Sequence, residues 1–199
     1  SKVKEMMKLC IGKNTGAMFD ANGKIVGGNA TDKALLNFLT QGEMEKLTGL
    51  VVEKSQGFNS ANKYSASQLN GKTVYKGAPE RLLAKATKML DENGNVVDIN
   101  KNKINSKIDE LAIRAMRVLS FAYSESGLVE DTLPDDLVIV GFVGIRDDVR
   151  VEAKQAIEEV QNAGVQVVMI TGDRKETAVA IAKEAGLLRA DTDVALTSE

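Results

Sequence analysis

The chain has no histidine and no tryptophan, a single cysteine and two prolines, and only 4% of its 199 residues are aromatic. Without an imidazole, Ser-His and Cys-His nucleophile systems and histidine general-base chemistry are excluded. The lone Cys10 can form neither an intrachain disulfide nor a thiolate zinc cluster. The longest apolar run, residues 137–145, falls far short of the roughly 18 to 20 residues that a spanning helix needs. The first residues carry no apolar signal region. Lys and Arg number 26 against 28 Asp and Glu, a net charge of -2, so no basic surplus points to nucleic acid or an anionic membrane surface. Any chemistry must come from carboxylates, hydroxyls, lysines and metal-bound water.

What is present is the composition of an ordinary globular chain, 43% hydrophobic and 27% charged, with room for one or two domains. In residues 1–134, reversal dipeptides Asn22-Gly23, Asn70-Gly71 and Asn93-Gly94 punctuate short apolar stretches. Asn and Gly accept the positive φ of tight hairpins, so this region is expected to be an antiparallel sheet with helices laid on it. Residues 72–76 are expected as a strand and 79–90 as a helix with Pro79 at its first position. A second helix is expected from Asp32, with Thr31 as N-cap and Leu35, Leu36 and Leu39 as its buried stripe. Ile104, Ile108, Leu111, Ala115, Val118, Leu119 and Ala122, spaced by three and four, predict a longer helix ending near Gly127. After Pro134 the pattern changes to strand 137–145, helix 149–162, Gly164, strand 165–170, a polar turn and a helix over about 176–185. That alternation predicts a parallel α/β sheet and a domain boundary near Pro134, giving regions 1–134 and 135–199.

In such sheets the loops leaving the C-terminal ends of strands gather ligands. Thr171-Gly172-Asp173 occupies one: a hydroxyl, a glycine that lets the backbone come close, and a carboxylate suited to Mg²⁺ or to orienting a phosphate. A plain turn with an Asp N-cap is the alternative. Arg146-Asp147-Asp148-Val149-Arg150 reads locally as an acidic first helical turn. Phe58 is either a core residue or a stacking platform, Thr31-Asp32 either a helix cap or part of a binding loop, and Arg117 either an exposed helical arginine or a ligand contact.

Lys76-Gly77-Ala78-Pro79-Glu80 and Thr171-Gly172-Asp173 together resemble the nucleotide-binding and phosphoryl-transfer loops of P-type cation-transporting ATPases, and the resemblance runs from about residue 6 to the end. It implies an α+β nucleotide-binding (N) domain, an antiparallel sheet flanked by helices, followed by part of an α/β Rossmann-like phosphorylation (P) domain of the haloacid-dehalogenase type. It further implies that Phe58 stacks on adenine and Lys63 lines the pocket, although Ser60 stands where the family often has arginine. Lys76 would stand at the bottom of the pocket with Gly77 beside it, Asp32 would meet the adenine amino group, and Arg117 would lean on the phosphates. Asp147 and Arg150 match the polar ends of the family's DPPR hinge, while Asp148 and Val149 replace both prolines and remove two fixed φ angles. Thr171, Gly172 and Asp173 would serve phosphoryl transfer with Mg²⁺, but DKTGT, whose aspartate the family phosphorylates, does not occur in the sequence.

The resemblance thus implies a soluble, cytosolic part of a membrane pump that holds ATP or ADP without turning ATP over. Its partners would be the actuator domain and the membrane helices. GNATDKALLNF is most similar to plasma-membrane-type calcium pumps. Without the strand that bears the phosphorylated aspartate, residues 165–170 are expected to be an exposed edge open to self-association. The rival readings are a soluble phosphatase of the same superfamily, for which no DxD nucleophile motif precedes the TGD loop, and a non-catalytic nucleotide-binding module.

Overall fold

Each Asn-Gly dipeptide turns a hairpin in the computed structural model, which describes residues 1–113, 116–146, 156–162, 164–171 and 195–197. Gly23 (φ 79°) lies between β1 (Ala17–Phe19) and β2 (Ile25–Gly27), which form a small separate sheet. Asn70 (φ 51°) and Gly71 (φ 75°) join β4 (Tyr64–Leu69) to β5 (Lys72–Gly77), two consecutive positive φ values as a tight hairpin of that twist requires. Gly94 (φ 79°) turns between β6 (Lys88–Leu90) and β7 (Val96–Asp98).

Among the described residues the main sheet has ten strands. Besides β4 to β7 it holds β3 (Lys54–Gln56), β8 (Met116–Ser124), β9 (Val138–Arg146), β10 (Ala156–Asn162), β11 (Val165–Thr171) and β12 (Ala195–Thr197), in the order β12-β10-β11-β9-β8-β5-β4-β3, with β6 also pairing with β9. From β3 through β9 along this order every neighbour is antiparallel, as expected, whereas β9 and β11 pair in parallel. Helices cover both faces. One face buries α1 (Lys2–Gly12) through Val3, Met7, Cys10 and Ile11 and α2 (Ala30–Leu36) through Leu35, beside Val74, Phe121 and Val140. The other packs α4 (Pro79–Lys85) and α5 (Lys101–Ile113) on Tyr75, Ala122 and Ile139. A short α3 (Gln41–Lys46) follows α2.

Several elements differ from the sequence expectation, each through tertiary pairing. The long helix predicted through Ala122 ends at Ile113, and Met116–Ser124 is strand β8. This strand is sandwiched between the two cores, with Ala122 in one and Phe121 in the other, so apolar residues fall on both its faces, as in the run Phe121-Ala122-Tyr123, and do not alternate with polar ones. Such a run does not separate a period of two from one of 3.6. The helix expected over 79–90 stops at Lys85, although Pro79 does stand in its first turn. Met89 pairs with Ile139 and Val97 instead and sends its side chain to one core while Leu90 enters the other. The N-cap of α2 is Asn29, whose Oδ1 accepts from the Asp32 N–H at 2.8 Å, and not Thr31. Leu35, Leu36 and Leu39 are buried as expected.

Of the helix predicted over 149–162, residues 156–162 form β10, antiparallel to β11 across a turn at Gly164 (φ 80°). The residues 149–155 lie outside the described part, as does the helix expected over 176–185. The expected exposed edge at 165–170 is not one: β11 is flanked by β9 and β10, and the ends of the sheet are β12 and β3.

Candidate functional site

Period-two alternation on β5 decides where Lys76 points: Tyr75 enters the core with α4 and α5, so Lys76 faces the side of α1 and α2. There it meets the loop that follows α1. Its Nζ donates to the Asn14 carbonyl and to Asp32 Oδ1, each at 2.8 Å, and the Lys76 and Asp32 side chains are only 12% and 13% exposed. Asp32 Oδ2 accepts from the Gly16 N–H at 3.2 Å, so one carboxylate ties the first turn of α2 to both that loop and β5. A carboxylate has about four acceptor sites and an ammonium three donors, which leaves both groups capacity for a ligand.

Above this ion pair lies a cavity of about 670 Å³, within the roughly 300–1,000 Å³ of small-molecule sites. Its walls come from distant parts of the chain: Asp32 from α2, Phe58 from the connection after β3, Lys76 and Gly77 from β5, and Arg117 from β8. Phe58 is 62% exposed, a large apolar face left in solvent. Among the described residues, Lys13, Lys76 and Arg117 line the cavity together with one carboxylate, that of Asp32, a positive surplus in the described lining of a chain of net charge -2. Such a cavity favours an anionic ligand.

Five of the residues singled out in the sequence therefore line one cavity. Lys63 is not among its lining residues. It ends the connection between β3 and β4 with φ 59°, its N–H donates to the Asn59 carbonyl at 2.8 Å, and its Nζ lies 4.0 Å from Glu80 Oε1. Gly77 has a structural reason to be glycine, since a Cβ there would come within 2.5 Å of Tyr64 Cβ and 2.6 Å of the Lys63 carbonyl oxygen. Asp147, Arg150, Gly172 and Asp173 lie outside the described residues, and of Thr171 the backbone alone is described. That backbone is informative. Thr171 ends β11 one residue after Ile170, which pairs with Ile145, which pairs with Arg117. Thr171 thus stands at the same end of the sheet as Arg117, two strand spacings or about 10 Å of backbone away.

The residues that sequence reasoning passed over follow α1. The Asn14 side chain is buried and donates from Nδ2 to the Ser65 carbonyl at 3.0 Å, while its own carbonyl receives Lys76. Gly28 (φ 64°) lets the strand leaving β2 approach this loop, for a Cβ there would stand 2.9 Å from the Ala17 nitrogen. The polar Asn14-Thr15-Gly16 signals a turn in the sequence; the partners of Asn14, Ser65 and Lys76, are more than fifty residues away and are visible only in the fold.

The family model for the P-type ATPase cytoplasmic domain N matches residues 2–152. The chain is 33% identical over 200 aligned positions, covering 90% of it, to the putative calcium-transporting ATPase 13, plasma membrane-type, of Arabidopsis thaliana. It is 36% identical, over 86% of its length, to calcium-transporting ATPase 1 of Saccharomyces cerevisiae, and 41% identical, over 58%, to calcium-transporting ATPase 1 of Bacillus cereus. It spans about a fifth of the first two relatives and 14% of the third. Among the described residues no helix is long and apolar enough to cross a membrane. With three quarters of its residues matched by a cytoplasmic-domain model, the chain belongs to the P-type ATPase family.

Proposed function

We propose that the chain is the ATP-holding part of a calcium-transporting P-type ATPase, working at the cytosolic face of a membrane. The observation that carries this reading is the convergence of Asp32, Phe58, Lys76 and Arg117 on one cavity large enough for a nucleotide, with a positive surplus in its described lining. Phe58 stacks on the base, which by itself contributes roughly 1 to 3 kcal/mol. Asp32 accepts from the exocyclic amine while keeping Lys76 in place, and Lys76 and Arg117 face the anionic end of the ligand. Lys63 is assigned to the edge of this site by the resemblance of residues 58–65 to the family's adenine-binding strand. Calcium is the ion named for the relatives in plants, yeast and Bacillus.

Residues 135–199 are assigned to the phosphorylation domain, a reading supported by the parallel β9–β11 pair and by Thr171-Gly172-Asp173 at its end. Asp147 and Arg150 would form the hinge side of the nucleotide site. Mg²⁺ would neutralise phosphate charge during transfer; Asp173 is the carboxylate suited to hold it, with the Thr171 hydroxyl on the phosphoryl group. Actuator and membrane parts of the pump are the expected partners.

A titration with ATP followed by amide NMR tests the reading. Dissociation constants on the order of 0.1 to 10 mM are expected, equivalent to about 3 to 5.5 kcal/mol, with shifts concentrated near Phe58 and Lys76. Phe58→Ala should weaken binding roughly tenfold, Asp173→Ala should leave it unchanged, and no phosphate should be released, because the DKTGT aspartate is not in the chain. Silence at Phe58 and Lys76 in high millimolar nucleotide would overturn the assignment.

A further inference from the structure

Ser65 stands on β4 directly opposite Lys76 on β5 and lines the same cavity. It is only 7% exposed, and its Oγ has no hydrogen-bond partner among the described residues. The polar groups around it are engaged: Lys76 with the Asn14 carbonyl and Asp32, Asp32 with the Gly16 N–H, and the Ser65 carbonyl with Asn14 Nδ2. The last of these bonds pins the strand, so Ser65 cannot turn away without losing it. A buried hydroxyl that faces a cavity without a partner is an exception that asks for a ligand.

The direction of its hydrogen bond follows from its neighbour. Lys76, opposite it on β5, carries three donors and no acceptor, and the nearby carbonyl of Asn14 and carboxylate of Asp32 already accept from that ammonium. The Ser65 proton is left for an acceptor in the cavity.

We propose that Ser65 is a specificity-determining contact of this site, its Oγ–H donating to an unprotonated ring nitrogen of the adenine that stacks on Phe58. The contact rests on the nucleotide reading given above and adds a determinant of base identity to it. Stacking on Phe58 accepts any base, whereas a buried hydroxyl left unpaired penalises a base that offers no acceptor at that point.

The test compares ATP with 1-deaza-, 3-deaza- and 7-deaza-ATP, each lacking one ring nitrogen, on the unsubstituted chain and on Ser65→Ala. Ser65→Ala is expected to weaken ATP binding about threefold to tenfold, the range of one net hydrogen bond. One deaza analogue should show the same loss on the unsubstituted chain and no further loss on Ser65→Ala. If Ser65→Ala does not fold, the analogue series on the unsubstituted chain decides alone: equal affinity for ATP and all three analogues overturns the contact. Unchanged ATP affinity in a folded Ser65→Ala, with Phe58→Ala still weakened, overturns the contact and leaves the nucleotide reading standing. Failure of the unsubstituted chain to bind ATP overturns both.

Discussion

At the scale of the residue, burial turns two ordinary side chains into acids that hold their protons. Cys10 is fully buried with its Sγ 3.8 Å from the Ala122 carbonyl oxygen, and burial pushes its thiol up from 9.0 to about 12. Burial likewise pushes the Tyr75 hydroxyl up from 10.0 to about 12. Both groups keep their protons in the folded chain after they have lost them in the unfolded one. Their stabilisation is therefore complete below pH 9 and is lost as pH rises through about 12. The urea midpoint should stay level as pH 9 is approached from below and fall above it, and Cys10→Ala should show a shallower fall. An unchanged slope in that variant would mean that the thiol is solvated. The ion pair of Lys76 with Asp32 belongs to the same scale. It holds the floor of the cavity together, and loss of either partner would leave a charge largely withdrawn from water.

At the scale of the element, close packing between strands fixes the cavity wall. Gly77 closes β5 against the start of β4, and the Ala78 N–H beyond it donates to the Lys63 carbonyl at 2.9 Å. Gly77→Ala would place a methyl group against the Tyr64 and Lys63 backbone atoms, which strand pairing prevents from yielding. A loss of about 1–3 kcal/mol, typical of overpacking, is expected in urea denaturation. Stability equal to that of the unsubstituted chain would show that the hairpin can spread. Both glycine and lysine in the Lys76-Gly77 pair are thus used by the fold as well as by the candidate site.

At the scale of the whole molecule, the sheet passes without interruption through the point where the sequence changes character. β8 and β9 are paired from Met116–Arg146 to Tyr123–Val138, on the two sides of Pro134, and β11 continues on β9. The amides of Phe142 and Val143, on a strand paired on both sides, should exchange as slowly as those of Val74 and Tyr75 on β5, independent of protein concentration. Much faster exchange on β9 would show that regions 1–134 and 135–199 open separately, with the boundary at Pro134.

The sequence by itself determined what lies within a few residues of its own signal. The Asn-Gly turns, the antiparallel hairpin they create, Pro79 in the first turn of α4 and the buried leucines of α2 all depend on local backbone preference or on a one-sided apolar pattern. The motif residues Asp32, Phe58, Lys76 and Arg117 were also legible as candidates. What only the tertiary structure decided is which strands receive two-sided burial. Met116–Ser124, Lys88–Leu90 and Ala156–Asn162 become strands because neighbours supply hydrogen bonds and cover both faces, information that no local period carries. The cavity was hidden for the same reason. Its floor joins the loop after α1 to β4 and β5 through Asn14, Ser65 and Lys76, contacts between residues far apart in the chain that exist only once the sheet has closed around them.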